Sequence, residues 1–161
     1  MKSKSDKLKL TIELVPRTSW YDNLRKCMSK KEWDKIRERT FDKHGNKCRI
    51  CGAEGRLNCH EIWKYDDKKH VQKLVSFIAL CNMCHFVKHI GLTEILASEG
   101  KLDYEKVVEH FMKVNKCDRK SFEQHRRRSL DEWRKRSEHE WHVDLGKYED
   151  IIQNDFKQKI K

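Results

Sequence analysis

Leu80-Cys81-Asn82-Met83-Cys84-His85-Phe86-Val87-Lys88-His89 is the stretch whose reading decides the fold. It begins as a C-x-x-C knuckle and continues at helical spacing, with His85 and His89 four residues apart and so on one face of a helix. A second knuckle, Cys48-x-x-Cys51, lies upstream across 29 intervening residues. Zinc prefers four soft ligands in a tetrahedron, and two such tight turns deliver four thiolates to one ion. A redox dithiol needs only one pair, so two pairs point to a structural zinc held by Cys48, Cys51, Cys81 and Cys84. Seven cysteines, an odd number, do not suit a disulfide framework, and Cys27, Cys59 and Cys117 are expected to be small packing residues.

Between the knuckles, turn signals at Gly52 and Gly55 are followed by β-branched and aromatic runs at 56–65 and 74–80. Those runs predict a β-hairpin, followed by a short helix over 82–90 that Gly91 closes. Upstream, Leu8-Lys9-Leu10-Thr11-Ile12-Glu13-Leu14 alternates with period two and predicts a half-buried strand ending at Pro16. A connection over 17–28 carries Trp20, Tyr21 and Leu24. Ser29-Lys30-Lys31-Glu32 matches a capping box, and Trp33, Ile36, Thr40 and Phe41 then share one face of a helix that stops at Gly45. Downstream, helices are predicted over 92–98, over 104–115 behind Asp103 as N-cap, and over about 119–138 behind Asp118. Residues 141–145 alternate again, and this late strand is expected to pair with 8–14 and tie the C-terminal helices to the core.

Composition narrows the partner. The chain of 161 residues has a net charge of +11 with histidine neutral, an excess that favours a polyanion such as nucleic acid or an anionic surface. No run of 18 apolar residues exists and the N-terminus lacks the apolar stretch of a signal peptide, so the expectation is no membrane partner and a cytoplasmic location. The aromatic residues spread along the chain argue against disorder despite the 39% of charged side chains.

Leu57-Asn58-Cys59-His60-Glu61-Ile62 before the second knuckle, and Leu80-Cys-x-x-Cys-His85-x-x-Lys88 through it, resemble the HNH endonuclease family of the four-cysteine, zinc-braced type. The resemblance covers about a third of the chain. It implies a ββα-metal fold, hydrolysis of phosphodiester bonds in DNA with little sequence specificity, and a catalytic divalent ion (Mg²⁺, Mn²⁺, Ni²⁺ or Zn²⁺) beside the structural zinc. It assigns His85 to the ion or the scissile phosphate, and His89, one turn on, to the same ion. On the first strand His60 matches the metal-binding member and Glu61 stands in the general-base slot. Sliding by one residue makes His60 the base and Glu61 a ligand, and both registers remain open. A carboxylate is a weaker base than imidazole unless burial raises its pKa. The family's asparagine position holds Ser76, which leaves either a histidine-based ion site or a module that binds nucleic acid without cutting it. A nuclease subunit activated by a partner protein, or an oligomer, is a third reading.

From Lys116 to Arg136 nine Lys and Arg face four Asp and Glu, a local net charge of +5. Such a helix is either a solvated face or a phosphate-binding one. The residues expected to touch nucleic acid, DNA with RNA as the alternative, are Lys88, Arg126, Arg127, Arg128 and Arg134, while Phe122, His125, Ser129 and Trp133 recur at core spacing. His139-Glu140-Trp141-His142 is assigned to a helix end and strand rather than to a ligand set.

The expected architecture is α+β, a small ββα-metal core with structural zinc. Residues 1–45 contribute an N-terminal strand and helix, 46–91 the zinc module, and 92–161 a basic helical extension with the late strand 141–145.

Overall fold

An antiparallel hairpin at the centre of the molecule joins β1 (Leu57–Asp66) to β2 (Val71–Cys81), with Leu57 opposite Cys81 and Asp66 opposite Val71. The computed structural model describes residues 8–19 and 24–152, so Trp20 and Tyr21 fall outside the described residues. The hairpin turn is held by Asp66, whose carboxylate accepts from the backbone N–H of Lys68 and of Lys69, both at 3.0 Å. A bulge between Ile62 and Trp63 leaves Val75 unpaired. The extra residue changes the phase of β2, so Leu74 and Phe77, three apart, share one core cluster while Leu80 joins another. Val75 itself turns outward and is 45% exposed.

The helices follow from their caps. Ser29 accepts from Glu32 N–H at 3.1 Å to start α1 (Lys30–Lys43), and Trp33, Ile36 and Thr40 form its buried stripe. Beyond β2 come α2 (Asn82–Lys88) and α3 (Ile90–Ser98). Asp103 and Asp118 accept from the first N–H groups of α4 (Tyr104–Asn115) and α5 (Arg119–Arg136), as expected of those residues. Gly91 does not close the helix over 82–90, contrary to the expectation from its sequence; it lies inside α3. The break falls instead at His89 (φ −101°, ψ 50°), where Thr93 Oγ1 donates to the carbonyls of Phe86 and His89.

The late strand exists as β3 (His142–Asp144), but its partner is not the N-terminal segment. It adds to the hairpin in parallel beside β2, with Val71 opposite His142, making a mixed sheet ordered β1-β2-β3.

Residues 8–14 run without strand partners. Their alternation is nonetheless a true record of burial, since Leu10 and Ile12 are core residues with Leu8 and Leu14 against the same cluster. Side chains replace the missing strand: Asn115 accepts from Leu10 N–H and donates to Leu10 C=O, both at 2.9 Å. Ile12 N–H donates to His125 Nε2 at 2.9 Å, and Glu13 N–H to the Lys88 carbonyl at 3.0 Å. Trp133 Nε1 donates to Val15 C=O at 2.9 Å. A period-two apolar pattern needs only one covered face and satisfied amides, and here helix side chains satisfy them. The segment is a strap over α2, α4 and α5.

Two core clusters flank the sheet. One gathers the strap, the knuckles and helices α2, α4 and α5 around Phe111 and Phe122. The other joins α1 to Leu74, Phe77, Val143 and Leu145 on the opposite side. Among the described residues no helix is long and apolar enough to cross a membrane.

Candidate metal centres

The first knuckle is a tight turn just before β1, closed by Cys48 N–H to Ala53 C=O and Gly52 N–H to Cys48 C=O, both at 2.9 Å. Gly52 takes the left-handed conformation this turn requires (φ +77°). The second knuckle is the start of α2, where Cys81 is the N-cap and its sulfur accepts from Cys84 N–H at 3.5 Å. The hairpin register sets Leu57 opposite Cys81 and so brings the two turns together. All four sulfurs lie within 4.8 Å of one another, with Cys51 and Cys81 sulfurs 3.6 Å apart. A tetrahedron of sulfurs at the ordinary zinc–thiolate distance has edges of about 3.8 Å. All four are free thiols, too far apart for a disulfide and at the right distance for one zinc.

Electrostatics favours a cation at this place. Cys48 is held down to about 4, first by its hydrogen bond from Cys84. Cys84 is driven far up by that same hydrogen bond, by burial and by the charges of the other three sulfurs. Burial raises Cys81 to about 11. Like charges gathered this closely repel one another, which keeps the protons on Cys81 and Cys84, and a divalent cation would convert that repulsion into binding of four thiolates. His110, on α4, sets its Nε2 3.2 Å from Cys84 Sγ, a contact that the sequence spacing does not announce. The other cysteines behave as packing groups: burial pushes Cys59 up to about 11, and it lies against the α1 cluster.

A second cluster gathers farther along α2. His60 from β1, His85 from α2 and His89 at its end converge, their ring nitrogens within 4.8 Å of one another. The three rings meet nearly at right angles, at 76–80°, with centroids 4.6–5.5 Å apart. They form the corner of a box, as ligands around one ion do, rather than a stack. Burial pushes His85 down to about 3 and His89 down to about 4, assisted by the neighbouring imidazoles, so both stand neutral with a lone pair available. His60 is 3% exposed; its Nε2 lies 2.9 Å from Glu13 Oε2, and its buried Nδ1 has no hydrogen-bond partner. An orphaned buried nitrogen on a ring packed against two neutral imidazoles fits a divalent ion with imidazole affinity.

The corner opens into a cleft of about 700 Å³ that Glu61, Arg25, Arg37, Arg56 and Arg136 also line. Glu61 is not part of the converging group. Strand alternation puts it with Cys59 on the face of β1 opposite His60, and its charge acts on the Cys59 thiol. Ser76, in the position that the resemblance reserves for asparagine, pairs with Ile62 at the bulge.

The residues expected to touch nucleic acid are dispersed. Lys88 is a correction: it is 4% exposed, with its ammonium 2.6 Å from Glu13 Oε1 and 3.1 Å from Thr11 Oγ1, and it is not a surface cation. Arg126 is drawn into an ion pair with Glu94 at 2.6 Å. Arg127, Arg128 and Arg134 are exposed, with Arg134 paired to Asp131 at 3.0 Å, and none of the five lines the cleft. Glu13 is the residue that sequence reasoning missed. Burial alone would raise its carboxyl, but hydrogen bonds from His60 and Lys88 and the Lys88 charge outweigh it and hold the carboxyl below its ordinary value. Its polar position in an alternating segment looks like a solvated edge, and no local signal marks its target 47 residues away.

The geometry is thus a β-hairpin followed by a helix, carrying a four-cysteine cluster and a histidine triad, consistent with a zinc-braced ββα-like motif. Comparison with known proteins finds no matching family model, no matching curated protein and no matching solved structure.

Proposed function

We propose that the chain is a metal-dependent endonuclease of the HNH type, cleaving DNA with little sequence specificity. The observation that carries this reading is the convergence of His60, His85 and His89 in the wall of an arginine-lined cleft, on the same hairpin and helix that carry the cysteine cluster. His60, His85 and His89 would hold the working ion, and Cys48, Cys51, Cys81 and Cys84 a structural zinc. A divalent ion bound by the histidines supplies Lewis-acid stabilisation of the charge that develops on a phosphodiester.

The chain's own groups supply the rest. The grouping of His60 with the helix histidines favours the register in which Glu61 stands in the base slot. Glu61 lines the same cleft but lies across β1 from His60, so a proton leaving the attacking water would reach it through an intervening water. Arg37 and Arg56, along the cleft, offer planar donors to phosphate oxygens and orient the strand. Exposed Arg127 and Arg128 add salt-sensitive attraction without base readout.

Conversion of supercoiled plasmid to the nicked form tests the reading, with Mg²⁺, Mn²⁺, Ni²⁺ and Zn²⁺ each supplied to zinc-loaded protein. Nicking is expected with at least one ion and is expected to vanish in His85→Ala at unchanged zinc content. Binding of DNA without cleavage of DNA or RNA under any ion would replace this reading with that of a binding module, which the Ser76 position favours.

A further inference from the structure

The polar edge of the N-terminal strap is only half exposed; Thr11 and Glu13 lie over Lys88, and Glu13 also reaches His60. A carboxylate only accepts hydrogen bonds, so the 2.9 Å contact requires the proton on His60 Nε2. That fixes the tautomer. The lone pair is left on Nδ1, the buried nitrogen with no partner in the chain. A second proton on Nδ1 would be an unsatisfied buried donor among neutral imidazoles, whereas a lone pair there is a ligand. Lys88, itself buried, bonds the other oxygen of Glu13 at 2.6 Å and keeps the carboxylate charged and in place. The Lys88 carbonyl meanwhile accepts from Glu13 N–H at 3.0 Å, so backbone and side chain both fix this residue against α2.

We propose that Glu13 is a positioning residue of the histidine site, holding His60 as its Nε2–H tautomer with Nδ1 turned toward a bound divalent ion, and that the strap is therefore a working part of that site. This rests on the reading of the histidine triad as an ion site. Lys88 serves as the internal counter-charge that keeps Glu13 ionised rather than as a contact to nucleic acid. The strap's attachment through Asn115, His125 and Trp133 makes α4 and α5 the support on which the site's outer wall is mounted.

The test uses the full, zinc-loaded chain and Mn²⁺, an ion that competes poorly with zinc for thiolates. Removing Glu13 alone strands a buried ammonium, so the main variant is Glu13→Ala with Lys88→Met, and Lys88→Met alone is the control. Two readouts are taken: Mn²⁺ affinity by electron paramagnetic resonance of the free ion, and the His60 tautomer by ¹⁵N chemical shifts of the Mn²⁺-free protein. The double variant is expected to bind Mn²⁺ about 10–100-fold more weakly and to lose the pure Nε2–H signature, with Lys88→Met, which removes only the counter-charge, keeping that signature and falling between the double variant and wild type in affinity. Glu13→Gln keeps a carbonyl acceptor and is expected to retain the tautomer with a smaller loss of affinity. Should the double variant not fold, Glu13→Gln with Lys88→Met, which leaves no unpaired buried charge, carries the loss of affinity as its expectation. In the double variant, an affinity within about twofold of wild type or an unchanged His60 tautomer overturns the inference alone. A wild-type chain that takes up no Mn²⁺ overturns the ion-site reading together with it.

Discussion

Helix α2 carries two ligand clusters built in opposite ways. The cysteine cluster comes as two local pairs, each made by a turn of a few residues, and needs only the hairpin register to bring the pairs together. The histidine corner takes one group from the middle of a strand, one from the helix and one from the helix break, and its outer wall is a segment 47 residues upstream of His60. Locally encoded ligands suit a brace, because the turns form a half-site before the rest has folded. Ligands gathered from distant segments suit a working site, because a finished fold can hold them in a fixed orientation around an open side.

The hardest way to break that contrast is to remove one ligand from each cluster. Cys84→Ser is expected to release zinc and with it about 10 kcal/mol or more of folding free energy, leaving an unfolded or aggregated chain by circular dichroism. His85→Ala is expected to keep zinc and fold. If both variants were equally folded, the assignment of brace and working site to the two clusters would be wrong.

A finer comparison lies in the group behind each cluster. His110 contacts Cys84 on the brace side as Glu13 contacts His60 on the other. His110→Ala is expected to speed zinc transfer to a chelating dye and weaken zinc binding by about 10–100-fold, without altering Mn²⁺ uptake by the histidines. An unchanged rate of zinc transfer would remove His110 from the brace.

The strap's hold on the molecule adds a pH dependence that belongs to neither ligand set. Burial depresses His125 from its ordinary 6.5 to about 4, and its Nε2 accepts from Ile12 N–H. Below pH 6.5 the unfolded chain binds a proton that the folded chain refuses until about pH 4. This contribution to stability is therefore complete above 6.5 and is lost as pH falls toward about 4. His125→Phe is expected to be less stable at pH 7 but to show a flatter melting temperature between those limits. A slope equal to that of wild type would contradict the role given to His125.

The smallest effect on the fold comes from the exposed arginines of α5. Arg127→Ala with Arg128→Ala is expected to leave the melting temperature unchanged within about a degree and to reduce the slope of log affinity for DNA against log salt by about 2. An unchanged slope would place the DNA contacts wholly in the cleft.

What could be read from the chain divides along the same line. The knuckles, the hairpin, the caps at Ser29, Asp103 and Asp118 and the pairing of His85 with His89 were legible because each rests on residues within a few positions of one another. The strap was half legible. Its alternation reported burial of Leu10 and Ile12, but a period-two pattern does not say whether a strand or the side chains of Asn115 and His125 will satisfy the backbone. The strand at 142–144 was visible, and its partner was not, since the apolar face of Val143 fits an edge of β2 as well as it would fit residues 8–14. The burial of Lys88 is hidden in the sequence for a related reason. On a helix beside two histidines a lysine looks like a phosphate contact, and only Glu13, 75 residues away, makes it an interior cation.

Native mass spectrometry of the zinc-loaded chain in saturating Mn²⁺ tests the central claim, that one helix carries a structural and a working ion site, most directly. The account predicts one zinc and one manganese on the wild-type chain, zinc alone on His60→Ala, and both ions again on Arg127→Ala. A wild-type chain carrying zinc alone, or a His60→Ala chain that still carries both ions, would contradict it.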